Sequence, residues 1–201
     1  MSLLSYTRLI ELVEQGVINA KPENVNGASI DITLHKDLLV EKSDTSQLPL
    51  EDLTIKQLLL NSRDQFHGYV DLKKKESLEY VPVTCGEYGF SMAPSQFLLA
   101  SSEEVFNLPN NIACEFKLKS SLARSGLQHL LAGWCDPGWT NSRLTLELKN
   151  VTQYNNLLLR EGMKIGQIIF FECEPVPEEN SYSVKGQYNN QKSVTNSKGL
   201  K

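Results

Sequence analysis

The spacing of apolar residues changes along the chain. Near the start, Tyr6, Leu9, Ile10, Val13 and Val17 recur every three or four positions, with Ser5 ahead of them and Gly16 behind. That pattern predicts an amphipathic helix with this stripe in the core, a serine cap and a glycine stop. From Ala28 the period falls to two. Ser29-Ile30-Asp31-Ile32-Thr33-Leu34 alternates as a half-buried strand should. Residues 41–63 are largely polar with one leucine-rich patch at 58–60, which reads as an excursion from the sheet with a short helix. After Tyr80, strand-like runs return. Phe97-Leu98-Leu99-Ala100 is closed by Ser101 and Ser102, and Leu108-Pro109-Asn110-Asn111 is a turn before the run 112–118. Leu144, Leu146 and Leu148 alternate with Thr145, Glu147 and Lys149. Gly162 turns the chain into the apolar run 165–171. From Pro175 the chain is polar and reads as a mobile tail. Many short strands with few helices predict a mainly β fold, a barrel or sandwich with an N-terminal helix.

Composition narrows the classes. The 201 residues suit one domain over 1–201, and 40% apolar with 22% charged residues is globular composition. The net charge of -4 provides no whole-chain basic field for nucleic acid, so a polyanion would need a local basic pocket. The first residues lack a basic segment followed by an apolar core, and no apolar run approaches membrane-spanning length. Cys85, Cys114, Cys135 and Cys173 form no CxxC pair and read as reduced, buried thiols. The expectation is a cytoplasmic protein without nucleic-acid or membrane partners.

Three segments carry chemistry. Lys119-Ser120-Ser121-Leu122-Ala123-Arg124-Ser125-Gly126 follows a strand and opens a short helix, where backbone N–H groups favour anions. Arg124 lies about one turn after Ser120, so its guanidinium can return to the same pocket. The plainer reading of Ser-Ser is a helix cap. Asp136-Pro137-Gly138-Trp139 sets a carboxylate in a turn, which is most often structural. Glu147, on a strand's polar face, is either a solvated carboxylate or a general acid and base in a cleft. His35, His67, His129 and the cysteines do not supply the H-x-E and P-C-x-x-C pattern of zinc deaminases.

In order, these segments resemble the dCTP deaminase family, within the superfamily it shares with trimeric dUTPases. Asn26-Gly27-Ala28-Ser29-Ile30-Asp31, residues 97–100, Leu108-Pro109, residues 119–127, Ala132-Gly133-Trp134-Cys135-Asp136-Pro137-Gly138-Trp139, Thr145-Leu146-Glu147-Leu148 and Gly162-Met163-Lys164-Ile165-Gly166-Gln167 carry the resemblance. It implies a distorted β-barrel or jelly-roll-like fold of the dUTPase type, in a homotrimer with sites between subunits. It implies dCTP bound with Mg2+ on its triphosphate, no zinc, and dTTP as an inhibitor. Glu147 matches the catalytic glutamate. Lys119, Ser120, Ser121, Leu122, Ala123, Arg124, Asp136, Thr145, Leu146, Gln167, Tyr182 and Gln191 match nucleotide-binding positions. The tail, 176–201, resembles the segment that closes over the nucleotide.

The resemblance implies deamination of dCTP to dUTP and ammonia. Gly133-Trp134 resembles members that both deaminate and hydrolyse, so the alternative is a bifunctional enzyme giving dUMP, ammonia and diphosphate. A dUTPase alone, or a non-catalytic nucleotide sensor, fits the set less well. Against the family pattern the chain is one residue shorter between Arg124 and Asp136 and one longer between Trp139 and Glu147. Gln187 stands where members carry a lysine.

Overall fold

The computed structural model describes residues 1–42, 70, 72–86 and 88–199. They fall into two compact units, Met1–Val40 with Pro82–Thr195, and Glu41–Val81 with Asn196–Lys201. Every candidate site residue lies in the first. The excursion helix expected around 58–60 lies outside the described residues. In the second unit, Lys42 N–H donates to the Glu79 carbonyl, and the Asn196 amide donates to Ser77 Oγ and the Leu78 carbonyl.

The elements of the chain's first part are β1 (Ser2–Leu3), α1 (Tyr6–Glu14), β2 (Ile30–Thr33), β3 (Asp37–Glu41), β4 (Tyr80–Thr84), β5 (Phe90–Met92) and β6 (Phe97–Asn107). There follow β7 (Ile112–Leu118), α2 (Ser120–Arg124), β8 (Leu127–His129), β9 (Trp134–Cys135), β10 (Thr140–Asn150), β11 (Leu157–Leu159), β12 (Lys164–Glu172) and α3 (Tyr182–Lys185). The fold is mainly β with few helices, as the spacing predicts. Among the described residues no helix is long and apolar enough to cross a membrane.

Helix α1 ends as its glycine predicts. Gly16 has φ of 74°, its N–H donates to Val13 O, and Val17 N–H reaches back to Leu12 O. This pairing caps two carbonyls and needs the left-handed residue that glycine supplies without strain. The buried face differs from the predicted stripe, because Leu9 and Leu12 are buried while Tyr6 is exposed. Ser5 sits at the N-cap, but its side chain makes no capping bond.

Two open sheets share one core. In the first, β12 has β7 along one edge, while β2 and then β1 share the other; β9 lies beyond β7. In the second, the order β3-β6-β10-β8 places β10 in antiparallel register with β6. Strands β5 and β11 form a separate pair. The inward faces of both sheets meet in one cluster that includes Ile30, Ile32, Leu98, Phe106, Phe116, Leu144, Leu146, Leu148, Ile168 and Phe170. Each such fully buried side chain contributes about 1.5–3 kcal/mol.

Two strand predictions need correction. The β6 strand does not stop at Ser101 and Ser102 but runs through them to Asn107, and both serines are fully buried. Ser102 is accommodated because its hydroxyl donates to Glu104 O and accepts Leu144 N–H. Strand β2 is not half exposed, since Asp31 lies buried on what the alternation marks as its polar face. The four cysteines are free; three are buried and Cys173 is partly exposed. Cys114 and Cys135, remote in sequence, face each other between β7 and β9.

Candidate active site

The site builds outward from β10. Its burial alternates strictly from Ser142 to Asn150, so Leu144, Leu146 and Leu148 point into the core and Arg143, Thr145, Glu147 and Lys149 share the other face. The Leu146 side chain is fully buried, so any ligand contact from this residue is through its main chain. Glu147 Oε2 lies 3.3 Å from His129 Nε2 without forming a hydrogen bond, and both atoms are buried with no hydrogen-bond partner among the described residues. The whole Glu147 side chain remains 27% exposed. One carboxylate oxygen therefore sits in a dry setting while the side chain still reaches the surface. Nothing in the sequence pattern singled out His129. It is brought to Glu147 by the pairing of β8 with β10, where it lies opposite Leu148, and its ring is held edge-on by Phe116 at 4.8 Å.

Helix α2 carries the segment that the sequence marks as a candidate anion site. Lys119 is its N-cap residue and makes no side-chain cap bond, so Ser120 and Ser121 lie inside the helix rather than capping it. Ser120, Ser121, Ala123 and Arg124 are exposed, and Leu122 packs partly against the core. Lys119 is tethered twice, by its N–H to Ile165 O and by its Nζ, 2.7 Å from Asp31 Oδ1. Lys164 Nζ donates to the other Asp31 oxygen at 2.9 Å, and Asn26 Nδ2 adds a third bond at 3.0 Å. Burial pushes the Asp31 carboxyl up, but the hydrogen bonds from Lys119, Lys164 and Asn26 outweigh it and hold the group below its ordinary value. Gln167 sits opposite both Lys117 and Asp31 in the same sheet, beside this anchor.

Asp136 follows β9 and is exposed. Trp134 Nε1 donates to its carboxylate at 2.9 Å, which orients the acid. Gly133 is dictated by packing, because a Cβ there would come within 2.8 Å of the Phe116 carbonyl on β7. Tyr182 lies next to this turn, its N–H donating to Pro137 O at 3.1 Å, and burial pushes its hydroxyl up. Gly138 has φ of 86°, and a methyl group there would run into Ser181 Oγ, so the tail and the Asp-Pro-Gly turn fit only around a glycine.

Gln191 is buried at 7% exposure, and its Nε2 has no hydrogen-bond partner among the described residues. Its main chain is fixed to β10, with the N–H on Ser142 Oγ and the carbonyl receiving Arg143 N–H. Thr195 N–H reaches Thr145 Oγ1 at 3.3 Å. The single chain thus joins Glu147, Thr145 and Gln191 through β10, Lys119 and Gln167 through Asp31, and Asp136 and Tyr182 through the turn at Pro137. Among the described residues no cluster of three His, Cys, Asp or Glu side chains could hold a metal ion.

A family model for dCTP deaminase-like proteins matches residues 3–173. A relative from Nanoarchaeum equitans named "dCTP deaminase, dUMP-forming" is 33% identical over 97% of this chain and 96% of its own. One of the same name from Thermobifida fusca is 34% identical over 90% of this chain and 82% of its own. The crystal structure of 2'-deoxycytidine 5'-triphosphate deaminase from Agrobacterium tumefaciens superposes with a TM-score of 0.58 at 16% identity. That likeness covers 84% of this chain and 47% of the other, and it shows the fold. With the family model matched over most of the chain and a full-length relative at one third identity, this chain belongs to the dCTP deaminase-like family of hydrolases.

Proposed function

We propose that the protein converts dCTP to dUMP, ammonia and diphosphate, consuming two waters. The observation that carries the first half is Glu147, with one oxygen buried beside His129 and the side chain still reaching the surface. Water adds to C4 of the cytosine ring while Glu147 accepts its proton. That proton passes to the exocyclic nitrogen, the C4–N bond breaks and ammonia leaves, and the second water proton ends on ring N3 as the C4 carbonyl forms. A positioned carboxylate of this kind contributes about 10²–10⁴-fold in rate. In the second half, water attacks the α-phosphorus and the bond to the bridging oxygen breaks, releasing diphosphate.

The dUTP product favoured by the sequence reading gives way here to the bifunctional alternative. Relatives named as dUMP-forming support it, and so does the Trp134 indole that orients Asp136. In this reading Lys119, Ser120, Ser121 and Arg124, with main-chain groups of Leu122 and Ala123, bind the triphosphate, and Mg2+ arrives with it. Asp136, Tyr182, Gln167 and Gln191, with Thr145 and the Leu146 main chain, hold the nucleoside. Arg124 and Asp136 are exposed on separate elements of one chain, which supports a homotrimer whose sites are completed by a neighbouring subunit. The reading places the enzyme in the cytoplasm, with dTTP as a feedback ligand.

The test is to incubate the protein with dCTP and Mg2+ and to resolve dCTP, dUTP and dUMP by chromatography. dUMP without accumulating dUTP is the expected result. Accumulated dUTP would reduce the activity to deamination, cleavage of dUTP alone would make the protein a dUTPase, and binding without turnover would make it a sensor. Glu147→Gln is expected to stop ammonia release while nucleotide still binds.

A further inference from the structure

Near its start, strand β10 sets two residues against one of β6. The register with β6 slips between Thr140 and Ser142, and Asn141 between them has φ of 53°. This is a β-bulge, with the extra residue in the left-handed conformation that asparagine tolerates better than most. On its other edge β10 pairs with β8 only from Leu148 onward, so among the described residues the bulged end has no strand on that side. The tail takes that place.

Each residue from 139 to 143 bonds to the segment 188–192. Trp139 Nε1 donates to Tyr188 O at 2.7 Å, and Thr140 N–H donates to Asn189 Oδ1 at 3.1 Å. Asn141 Nδ2 donates to Asn190 Oδ1 at 2.8 Å and its Oδ1 accepts from Lys192. Arg143 N–H donates to Gln191 O at 2.8 Å, and its Nε to Lys192 O at 3.1 Å. Ser142 is the centre of the set and is fully buried. Its hydroxyl accepts Gln191 N–H at 3.1 Å and lies 2.8 Å from Thr140 O and 3.3 Å from Tyr188 O. Gln191 is thereby held on both sides of its main chain, yet its side-chain Nε2 is buried without an acceptor among the described residues. Buried donors are nearly always satisfied, so a lone orphan in a segment this firmly held points to an acceptor that arrives from outside.

We propose that Ser142 is a positioning residue, which fixes the tail on β10 so that the Gln191 carboxamide donates to an acceptor atom of the bound nucleotide. The assignment rests on the proposed function for the identity of that ligand. The bulge at Asn141 turns Ser142 and Asn141 together toward the tail, and it places the clamp on the strand that carries Thr145 and Glu147. Ser142 acts through Gln191 and does not touch the reacting atoms.

The test compares Ser142→Ala, Ser142→Thr, Gln191→Ala and the double variant Ser142→Ala/Gln191→Ala. Losing one buried hydrogen bond that holds a binding residue raises KM for dCTP about tenfold in Ser142→Ala, with kcat within about twofold. Ser142→Thr keeps the hydroxyl and restores KM. The double variant is no worse than Gln191→Ala alone, because both changes remove the same contact. Hydrogen exchange, read without nucleotide, shows the tail peptide over 188–195 exchanging at least about tenfold faster in Ser142→Ala, while peptides of β6 and β12 keep their rates. Unchanged KM in folded Ser142→Ala, multiplying effects in the double variant, or unchanged exchange in the tail overturns the assignment. If the unmodified protein does not turn over dCTP, the proposed function fails, and the exchange measurement still decides whether Ser142 clamps the tail.

Discussion

Asp31 is the residue whose removal tests the electrostatics around Lys119 most directly. It is buried, and its carboxylate takes bonds from Lys119, Lys164 and Asn26. Replacement by Asn keeps the volume and removes the charge. The Lys119 head group is 27% exposed, so its charged hydrogen bond is worth about 1–2 kcal/mol. The Lys164 pair, with that lysine 47% exposed, is discounted to less than about 0.5 kcal/mol. Since Asn still accepts one bond, Asp31→Asn costs about 2 kcal/mol. The folded carboxyl lies below its unfolded value, so its contribution is complete above about pH 4 and is lost as pH falls through the folded value. Urea unfolding at about pH 7.5 and about pH 3, at one fixed protein concentration, reads the difference. The two proteins are expected to differ by about 2 kcal/mol at the higher pH, and the gap is expected to narrow at the lower, where the unfolded carboxyl is already mostly protonated. An equal gap at both pH values would refute the charge argument and leave only packing.

His129→Ala is expected to lower kcat for ammonia release at least about tenfold with little change in KM for dCTP, measured by coupled ammonia assay; normal kcat would leave the imidazole as packing against Phe116. Gly138→Ala is expected to lower the thermal midpoint and to speed proteolysis after residue 175, because its methyl group meets Ser181 Oγ. Gly16→Ala, with open space around it, costs only the left-handed backbone conformation, about 1 kcal/mol by denaturant unfolding. Leu146→Ala, in the fully buried centre of β10, costs about 2–5 kcal/mol by the same measurement.

The alternation of residues 144–149, the glycine stop of α1 and the turn at Gly162 were legible because each depends on neighbours in sequence. The order of motifs was also enough to point to the family. Other features were not legible. Asp31 reads as an exposed strand residue because its partners stand 88 and 133 positions away, at Lys119 and Lys164. Ser101 and Ser102 read as a strand end because serine is a common turn residue, and only the contact with Leu144 across β10 shows them inside a strand.

Glu147 shows the same division. Its place on the polar face of a strand follows from the side-chain period of two, which the sequence displays by itself. That one of its oxygens is buried beside His129 follows from β8 folding back onto β10, which no local pattern encodes. The bulge at Asn141 and its bonds to the tail are long-range in the same way, since Asn141 meets Asn190, 49 positions further along the chain. Local periodicity sets the face a side chain points to; only long-range pairing sets what it meets there.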